Sequence, residues 1–176
     1  PMITINTGDG TIQDAKNWIE YMIGSINTKY GKLRYKNGRK KPYQLQTIFI
    51  GNEMFGGWQI GHTDPITYAN KYNAFVKELK KLNKKLRFIA VGACSDHFGH
   101  WNEYILKNIK EQIDELSVHY YSIRTEKDKK HPDYKSRYVP TVAAATEVRL
   151  MLDRTIKEIK KYSNKNIKIA FDEWNT

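Results

Sequence analysis

Short apolar runs alternate with helical stripes along this chain, and the alternation limits its fold more than any other feature. Five apolar runs have the length of strands, at residues 1–6, 48–50, 88–92, 116–121 and 167–171. Four segments with apolar residues at helical spacing separate them. No hairpin signal joins one strand to the next. The pattern therefore predicts an α/β fold with a parallel sheet built from right-handed β-α-β units.

Local signals place the ends of two helices and predict two long loops. Thr11 and Asp14 have the spacing of a capping box, and Asp64 precedes a proline as an N-cap residue does. Glycine, proline and many basic residues over 27–46 predict a long basic loop. A second charged loop is expected over 122–139, with the last helix beginning at the proline that follows it.

Length and composition limit the size of the fold and its partners. The chain has 176 residues, 40% of them hydrophobic, which suffices for one core, and we expect residues 1–176 to form one unit without an internal boundary. A complete (β/α)8 barrel typically takes ~250 residues. The net charge of +11 raises nucleic acid as a partner, but the lysines are scattered over helical windows and no binding motif accompanies them. We expect neither a nucleic-acid nor a membrane partner, because no apolar run is long enough to span a bilayer.

Two strands that lie far apart in the sequence both lead into glutamates. The run 48–50 is followed by Gly51, Asn52 and Glu53, and the run 167–171 is followed by Asp172 and Glu173. The carboxyl ends of parallel strands lie along one rim, so both carboxylates are expected to face one cleft and to perform acid/base and nucleophilic chemistry. Trp58 and Trp174 lie near them in sequence and offer flat apolar faces for sugar rings.

Other chemistries lack their motifs. Phosphate-binding loops, dinucleotide fingerprints, HExxH and CxxC zinc motifs and the GxSxG serine elbow are all missing from the sequence. His97 and His100 are three residues apart, but they lie in a glycine-containing loop without a clear third ligand. Cys94 is the only cysteine, and we assign it to an apolar strand, which favours a buried, inert thiol. We expect no metal and no cofactor.

Several motifs together resemble the α-L-arabinofuranosidases of glycoside hydrolase family fifty-one. The segments are INTGDGT at 5–11, the basic stretch 34–43, GNEMFGGWQIGH at 51–62, LSVHYY at 116–121 and IAFDEWN at 169–175. They follow the family's order and approximate spacing over the whole chain. Asn-Glu after the fourth barrel strand is shared by a wider clan of retaining glycosidases, so that dipeptide alone indicates only the clan.

The resemblance implies a role for each candidate residue. Glu53 would be the general acid/base and Glu173 the nucleophile of a double displacement, with the carboxyl groups about 5 to 5.5 Å apart. Asn52 would bind the sugar hydroxyl next to the anomeric carbon. Tyr121 would hydrogen-bond the nucleophile, and His119 would lie behind it. An ionised Glu173 would raise the proton affinity of Glu53 and keep that acid protonated.

The resemblance also implies an incomplete TIM barrel, covering about strands three to seven. We therefore expect a fragment that is inactive alone, acting when whole on terminal α-L-arabinofuranosides of plant oligosaccharides or polysaccharides. The exposed sheet edges, or the missing barrel parts, would allow oligomerisation. At 55–58 the family's Asp-Gly-Pro-Trp is replaced by Phe-Gly-Gly-Trp, which changes the loop beside the acid/base.

Three alternatives remain open at this stage. The acid pair does not name the sugar, so an endoglucanase or other β-glycosidase on the same barrel is the nearest. A carbohydrate-binding remnant without chemistry is the second. The third is a basic nucleic-acid binder, for which steep salt dependence of binding is the signature.

Overall fold

One five-stranded parallel sheet organises the chain in a computed structural model that describes residues 1–94, 98–122 and 134–175. The strands pair in chain order, β1 to β5, each parallel to the next. The sheet curls into part of an α/β barrel, which confirms the predicted class of an incomplete TIM barrel. In chain order the elements are β1 Met2–Ile5, α1 Ile12–Ile23, α2 Lys29–Lys36, β2 Thr47–Ile50, α3 Pro65–Leu79, β3 Arg87–Val91, α4 Trp101–Asn108, β4 Glu115–Tyr121, α5 Tyr134–Tyr162 and β5 Lys168–Asn175.

The predicted helix starts are confirmed. The Thr11 side chain accepts a hydrogen bond from the Asp14 backbone, and the Asp14 carboxylate accepts one from the Thr11 backbone, which completes the capping box of α1. Asp64 caps α3 by accepting from the backbone of Ile66 and Thr67. These caps satisfy N–H groups that have no partner within a helix.

The core lies between the sheet and its helices, and polar side chains inside it fix the ends of the strands. Tyr68 of α3 is fully buried; its hydroxyl donates to the Ile50 carbonyl and accepts from the Val91 N–H, at 2.8 Å each. Trp101 of α4 donates its indole N–H to the Val91 carbonyl. Because buried polar groups need partners, these bonds hold the C-terminal ends of β2 and β3 in one position.

The loop predicted over 27–46 is wrong in part, because α2 forms within it. Thr28 caps α2 by accepting from the Gly31 N–H. Arg34 is fully buried, and its guanidinium donates to the carbonyl oxygens of Tyr21 and Lys40. Burial against α1 therefore stabilises a helix that its own composition does not favour.

Two other boundaries also differ from prediction. The last helix begins at Tyr134 rather than at Pro140, which lies inside α5. A proline there removes one backbone donor without ending the helix. The final strand continues through Glu173 to Asn175, because it pairs with all seven residues of β4. Glu173 therefore lies within β5, whereas Glu53 follows β2. Among the described helices, none has the length and apolar character that crossing a bilayer requires.

Candidate active site

The end of β2 presents Glu53 through an unusual backbone. Gly51 has φ +85°, and a Cβ there would lie 2.5 Å from Thr7 Oγ1. Glu53 itself has φ +43°, a conformation that costs a side-chain-bearing residue about 1–3 kcal/mol. Such strain persists only where surrounding contacts enforce it, and it is concentrated at functional sites. The turn thus directs one carboxylate across the rim of the sheet.

The end of β4 supplies three polar side chains to the same face. Ser117, His119 and Tyr121 alternate along the strand, so their side chains point to one side of the sheet. Val118 and Tyr120 point to the other side, where they are buried with Met151 of α5. The alternation separates site residues from core residues within a single strand.

A bulge in β5 brings two acids to this face instead of one. The pairing of β4 with β5 shifts between Val118 and His119, so Asp172 is the extra residue between Phe171 and Glu173. In a regular strand these neighbouring acids would point to opposite faces. Here Asp172 Oδ2 lies 3.7 Å from His119 Nε2, and Glu173 Oε2 lies 3.6 Å from His119 Nδ1. Bulges re-aim side chains in this way next to active sites.

Both oxygens of Glu53 are engaged. Oε1 lies 2.9 Å from His119 Nδ1, and Oε2 accepts a 2.6 Å hydrogen bond from the indole N–H of Trp58. The hydrogen bond from His119 lowers the pKa of Glu53, with a smaller contribution from Trp58, and this outweighs the rise that burial would cause. The prediction that Glu173 keeps Glu53 protonated is therefore wrong for this arrangement. The sequence placed His119 behind Tyr121 and did not predict that its imidazole would contact Glu53 directly.

His119 is the centre of the charge network. Burial would lower its pKa, but hydrogen bonds to Asp172 and Glu53 and the charge of Glu173 raise that pKa to about 9. Ser117 donates to Asp172 Oδ1 at 2.9 Å, and its Oγ lies 3.2 Å from His119 Nε2. Near neutral pH the imidazole therefore carries a proton on each nitrogen, with acceptors facing both.

Glu173 has a different environment. Its side chain is 40% exposed, against 15% for Glu53. The Tyr121 hydroxyl donates to Glu173 Oε1, and this bond raises the pKa of Tyr121 to about 12. The predicted contact between Tyr121 and Glu173 is thus present, and it orients the more accessible of the two carboxylates.

The structure brings the two predicted carboxylates together. One oxygen of Glu53, one of Glu173 and a ring nitrogen of His119 lie within 4.8 Å of one another. Among the described residues these three could hold a metal ion, but binding requires a neutral imidazole and the raised pKa of His119 opposes it. His100 is exposed at the start of α4, and His97 lies outside the described residues. The arrangement suits two carboxylates acting on one bond.

The two predicted sugar-contacting tryptophans lie on different faces. Trp58 contacts Glu53, whereas Trp174 pairs with Tyr120 and packs against Phe171, so the structure does not bring Trp174 to the side of β5 that carries Glu173. Trp58 and Trp174 are 64% and 65% exposed, so each presents a ring face to solvent. Asn52 and Trp58 line a cavity of about 460 Å³ that also takes in the turn after β1. Neither Glu53 nor Glu173 lines that cavity. The carboxylates therefore stand beside the cavity, on the open part of the rim.

Sequence reasoning missed Ser117 and Asp172 as site residues. The alternating pattern Ser-x-His-x-Tyr in β4 is the signal that could have identified Ser117. Asp172 could not be assigned, because its orientation depends on the bulge.

Comparison with known proteins identifies the class and then the family. The parallel barrel segment with paired carboxylates at its C-terminal rim is typical of glycosidases. Residues 3–139 match the family model described as the alpha-L-arabinofuranosidase 1 domain, and the chain belongs to this family.

Relatives and solved structures agree with this family. The chain is 31% identical to a probable alpha-L-arabinofuranosidase C of Aspergillus clavatus and 30% identical to an intracellular exo-alpha-(1->5)-L-arabinofuranosidase of Acetivibrio thermocellus. These matches cover 99% of this chain and 36% and 34% of the relatives. An arabinose complex of the alpha-L-arabinofuranosidase from Thermotoga maritima superimposes with a TM-score of 0.84 at 34% identity, over 99% of this chain and 34% of that one. The chain thus spans about a third of the length of these proteins.

Proposed function

We propose that the natural polypeptide carrying this sequence hydrolyses terminal α-L-arabinofuranosides of plant oligosaccharides or polysaccharides, with retention of configuration. The observation that carries this proposal is the approach of Glu53 and Glu173, whose nearest oxygens lie within 4.8 Å on one rim. Retaining glycosidases place their two carboxyl groups about 5–5.5 Å apart, whereas inverting enzymes need about 6.5–9.5 Å to admit water. The close approach supports the retaining arrangement.

In the first step Glu173 acts as the nucleophile and Glu53 as the acid. A carboxylate oxygen of Glu173 attacks the anomeric carbon while Glu53 gives its proton to the departing oxygen, so the glycosidic bond breaks and a covalent arabinofuranosyl ester forms. The exposure of Glu173 and its hydrogen bond from Tyr121 support this assignment. Asn52 would hold the hydroxyl beside the anomeric carbon.

In the second step Glu53 acts as the base. It takes a proton from water, the resulting hydroxide oxygen bonds to the anomeric carbon, and Glu173 leaves as a carboxylate. The low pKa of Glu53 beside the His119 imidazolium suits the start of this step. The first step needs a proton on Glu53, which the hydrogen bond from His119 Nδ1 at 2.9 Å disfavours.

Stereochemistry tests this proposal. The natural polypeptide is incubated with an aryl α-L-arabinofuranoside, and proton NMR follows the first anomer of arabinose released. The α anomer should appear first and then mutarotate. Initial appearance of the β anomer would rule out double displacement.

Substrate choice separates this function from a β-glycosidase on the same barrel. Azide should restore product formation to the Glu173→Ala variant with the arabinofuranoside and not with the corresponding glucoside. Rescue with the glucoside alone would favour the β-glycosidase.

We further propose that residues 1–176 alone turn over this substrate negligibly. Their relatives are about three times as long, and β1 and β5 each leave one edge unpaired among the described residues. Turnover by the purified chain that disappears on Glu173→Ala would contradict this.

A further inference from the structure

The positive charge of the chain is concentrated on the rim opposite the candidate site. Four segments, which we call the basic rim, lead from a helix to the next strand: 24–47, which includes α2, and 80–87, 109–115 and 163–168. They carry 15 Lys and Arg residues against 3 Asp and Glu residues. The rest of the chain carries 15 against 16. The net charge of +11 is therefore a property of this rim.

The acids of the basic rim are already engaged. Glu111 pairs with Lys80, and Glu115 pairs with Arg87. Asp114 accepts hydrogen bonds from the Phe88 backbone and the Gln112 side chain. Eleven further cations are exposed and form no ion pair with any acid in the part of the chain that the structure describes, among them Lys36, Arg39, Lys40, Lys41, Lys84 and Lys85.

Helix dipoles do not account for this concentration. Cations are favoured in the last turn of a helix, where the partial negative charge lies. Lys36 is in the last turn of α2, but Lys40, Lys41, Lys84 and Lys85 lie in connections beyond the helices. Their charges repel one another without an acid beside them among the described residues, so an anion bound from outside would relieve that repulsion.

The positive potential also affects a lysine in the adjoining segment. Burial and the nearby charge of Lys110 together lower the pKa of Lys165. The Lys165 ammonium donates to the carbonyl oxygens of Ile109 and Glu111. The positive charges of Lys110 and Lys165 therefore repel each other where segments 109–115 and 163–168 lie side by side.

We infer that the basic rim binds the carboxylated backbone of an acidic polysaccharide, so that its arabinose-bearing branches are held near the rim that carries Glu53 and Glu173, which we call the catalytic rim. This inference rests on the proposed function for its choice of polymer. The two rims are separated by the length of a strand, about 13–27 Å for 4–8 residues. An extended polymer covers that distance, and a small glycoside does not.

The cationic side chains of the basic rim suit a polymer with spaced carboxylates better than they suit the recognition of single phosphate groups. Bidentate phosphate contacts are made by arginine, whereas lysine acts as a point charge. Arg34 is buried and Arg87 is paired with Glu115, which leaves Arg39, and its guanidinium already lies 4.1 Å from the Tyr43 ring centroid. Tyr35, 52% exposed within α2, adds a ring face suited to a sugar.

Binding to defined polymers tests the inference independently of turnover. Affinity electrophoresis of the natural polypeptide is run with polygalacturonate, neutral linear arabinan or double-stranded DNA in the gel. The double variant Lys40→Gln, Lys84→Gln should bind polygalacturonate about 25-fold more weakly, at roughly fivefold for each cation removed near a charged surface. Its turnover of a small aryl arabinofuranoside should equal that of the parent.

A matched variant controls for net charge. Arg149→Gln with Lys157→Gln removes the same charge from exposed positions of α5 and should leave polygalacturonate binding within twofold. Equal losses in both variants, no binding of polygalacturonate, or tighter binding of DNA than of polygalacturonate would each overturn the inference. Polygalacturonate binding without arabinofuranosidase activity would retain the rim assignment and reject the proposed function.

Discussion

The two rims of the sheet hold charge in opposite ways. On the catalytic rim His119 lies within 4 Å of Glu53, Asp172 and Glu173, so three carboxylates share one partner of opposite sign. On the basic rim lysines such as Lys40 and Lys84 extend into solvent without an acid among the described residues. Charges that are paired and partly buried acquire shifted pKa values, whereas exposed charges add to a diffuse field. One sheet thus carries the candidate active site at one end and exposed positive charge at the other.

The glycine turns of the two rims also differ, in how closely other atoms pack around them. Gly51 on the catalytic rim and Gly38 on the basic rim both have positive φ, at +85° and +93°. A Cβ at Gly51 would meet Thr7 and Met54 atoms, whereas one at Gly38 would meet nothing within 4 Å. Packing is therefore close in the turn that positions Glu53 and open in the turn at Gly38, where the neighbouring side chains are exposed.

The largest expected contrast is in turnover. Glu173→Ala in the natural polypeptide should lower kcat/KM for an aryl arabinofuranoside by about 10⁴-fold or more, because the proposed nucleophile is lost. Lys84→Gln should leave the same constant within twofold. Steady-state kinetics of the two variants measure the contrast, and comparable losses would show that the rims are not functionally separate.

Glycine substitutions test the difference in packing. Gly51→Ala should lower the free energy of unfolding by about 2–4 kcal/mol, combining left-handed strain with a clash. Gly38→Ala should cost about 1 kcal/mol, from conformation alone. Urea unfolding of both variants gives the values. Equal costs would mean that the turn before Glu53 relaxes freely.

The catalytic rim should make stability depend on pH. The folded pKa of His119 is raised, so its contribution is complete below pH 6.5 and is lost as pH rises through about 9. The loss should be about 2 kcal/mol, from 1.36 kcal/mol per pKa unit reduced for partial exposure to water. The lowered pKa of Glu53 adds stability above pH 4.5 that is lost as the solution becomes more acidic. Urea midpoints against pH measure both limbs, and His119→Gln should flatten the alkaline one.

The smallest expected effect is on the stability of the basic rim. Lys84→Gln should change the free energy of unfolding by less than about 0.5 kcal/mol, as is usual for exposed side chains without partners. If the substitution raises the free energy of unfolding by reducing repulsion between lysines, added salt should make that gain smaller, since charges further apart than about 10 Å are screened at 0.1 M. Thermal unfolding at two salt concentrations checks this. A loss above 1 kcal/mol would reveal an ion pair that this surface is not expected to have.

Local patterns determined much of this protein from sequence. Apolar periodicity predicted five parallel strands with their helices, and the residues at 11–14 and 64–65 predicted two helix starts, because such signals lie within a few neighbouring residues. The position of Glu53 and Glu173 on one rim also followed, since parallel strands end on the same side. The extent of residues 1–176 as one unit stays a prediction.

Tertiary structure alone decided how the charges meet. The bulge at Asp172 depends on pairing with β4, and the bond between His119 and Glu53 joins residues 66 positions apart. These contacts set the protonation of the site and reversed the predicted direction of the Glu53 pKa. Likewise α2 exists because Arg34 is buried against α1. Periodicity reports which face a residue occupies, whereas a pKa depends on distances of a few ångströms that only the folded chain fixes.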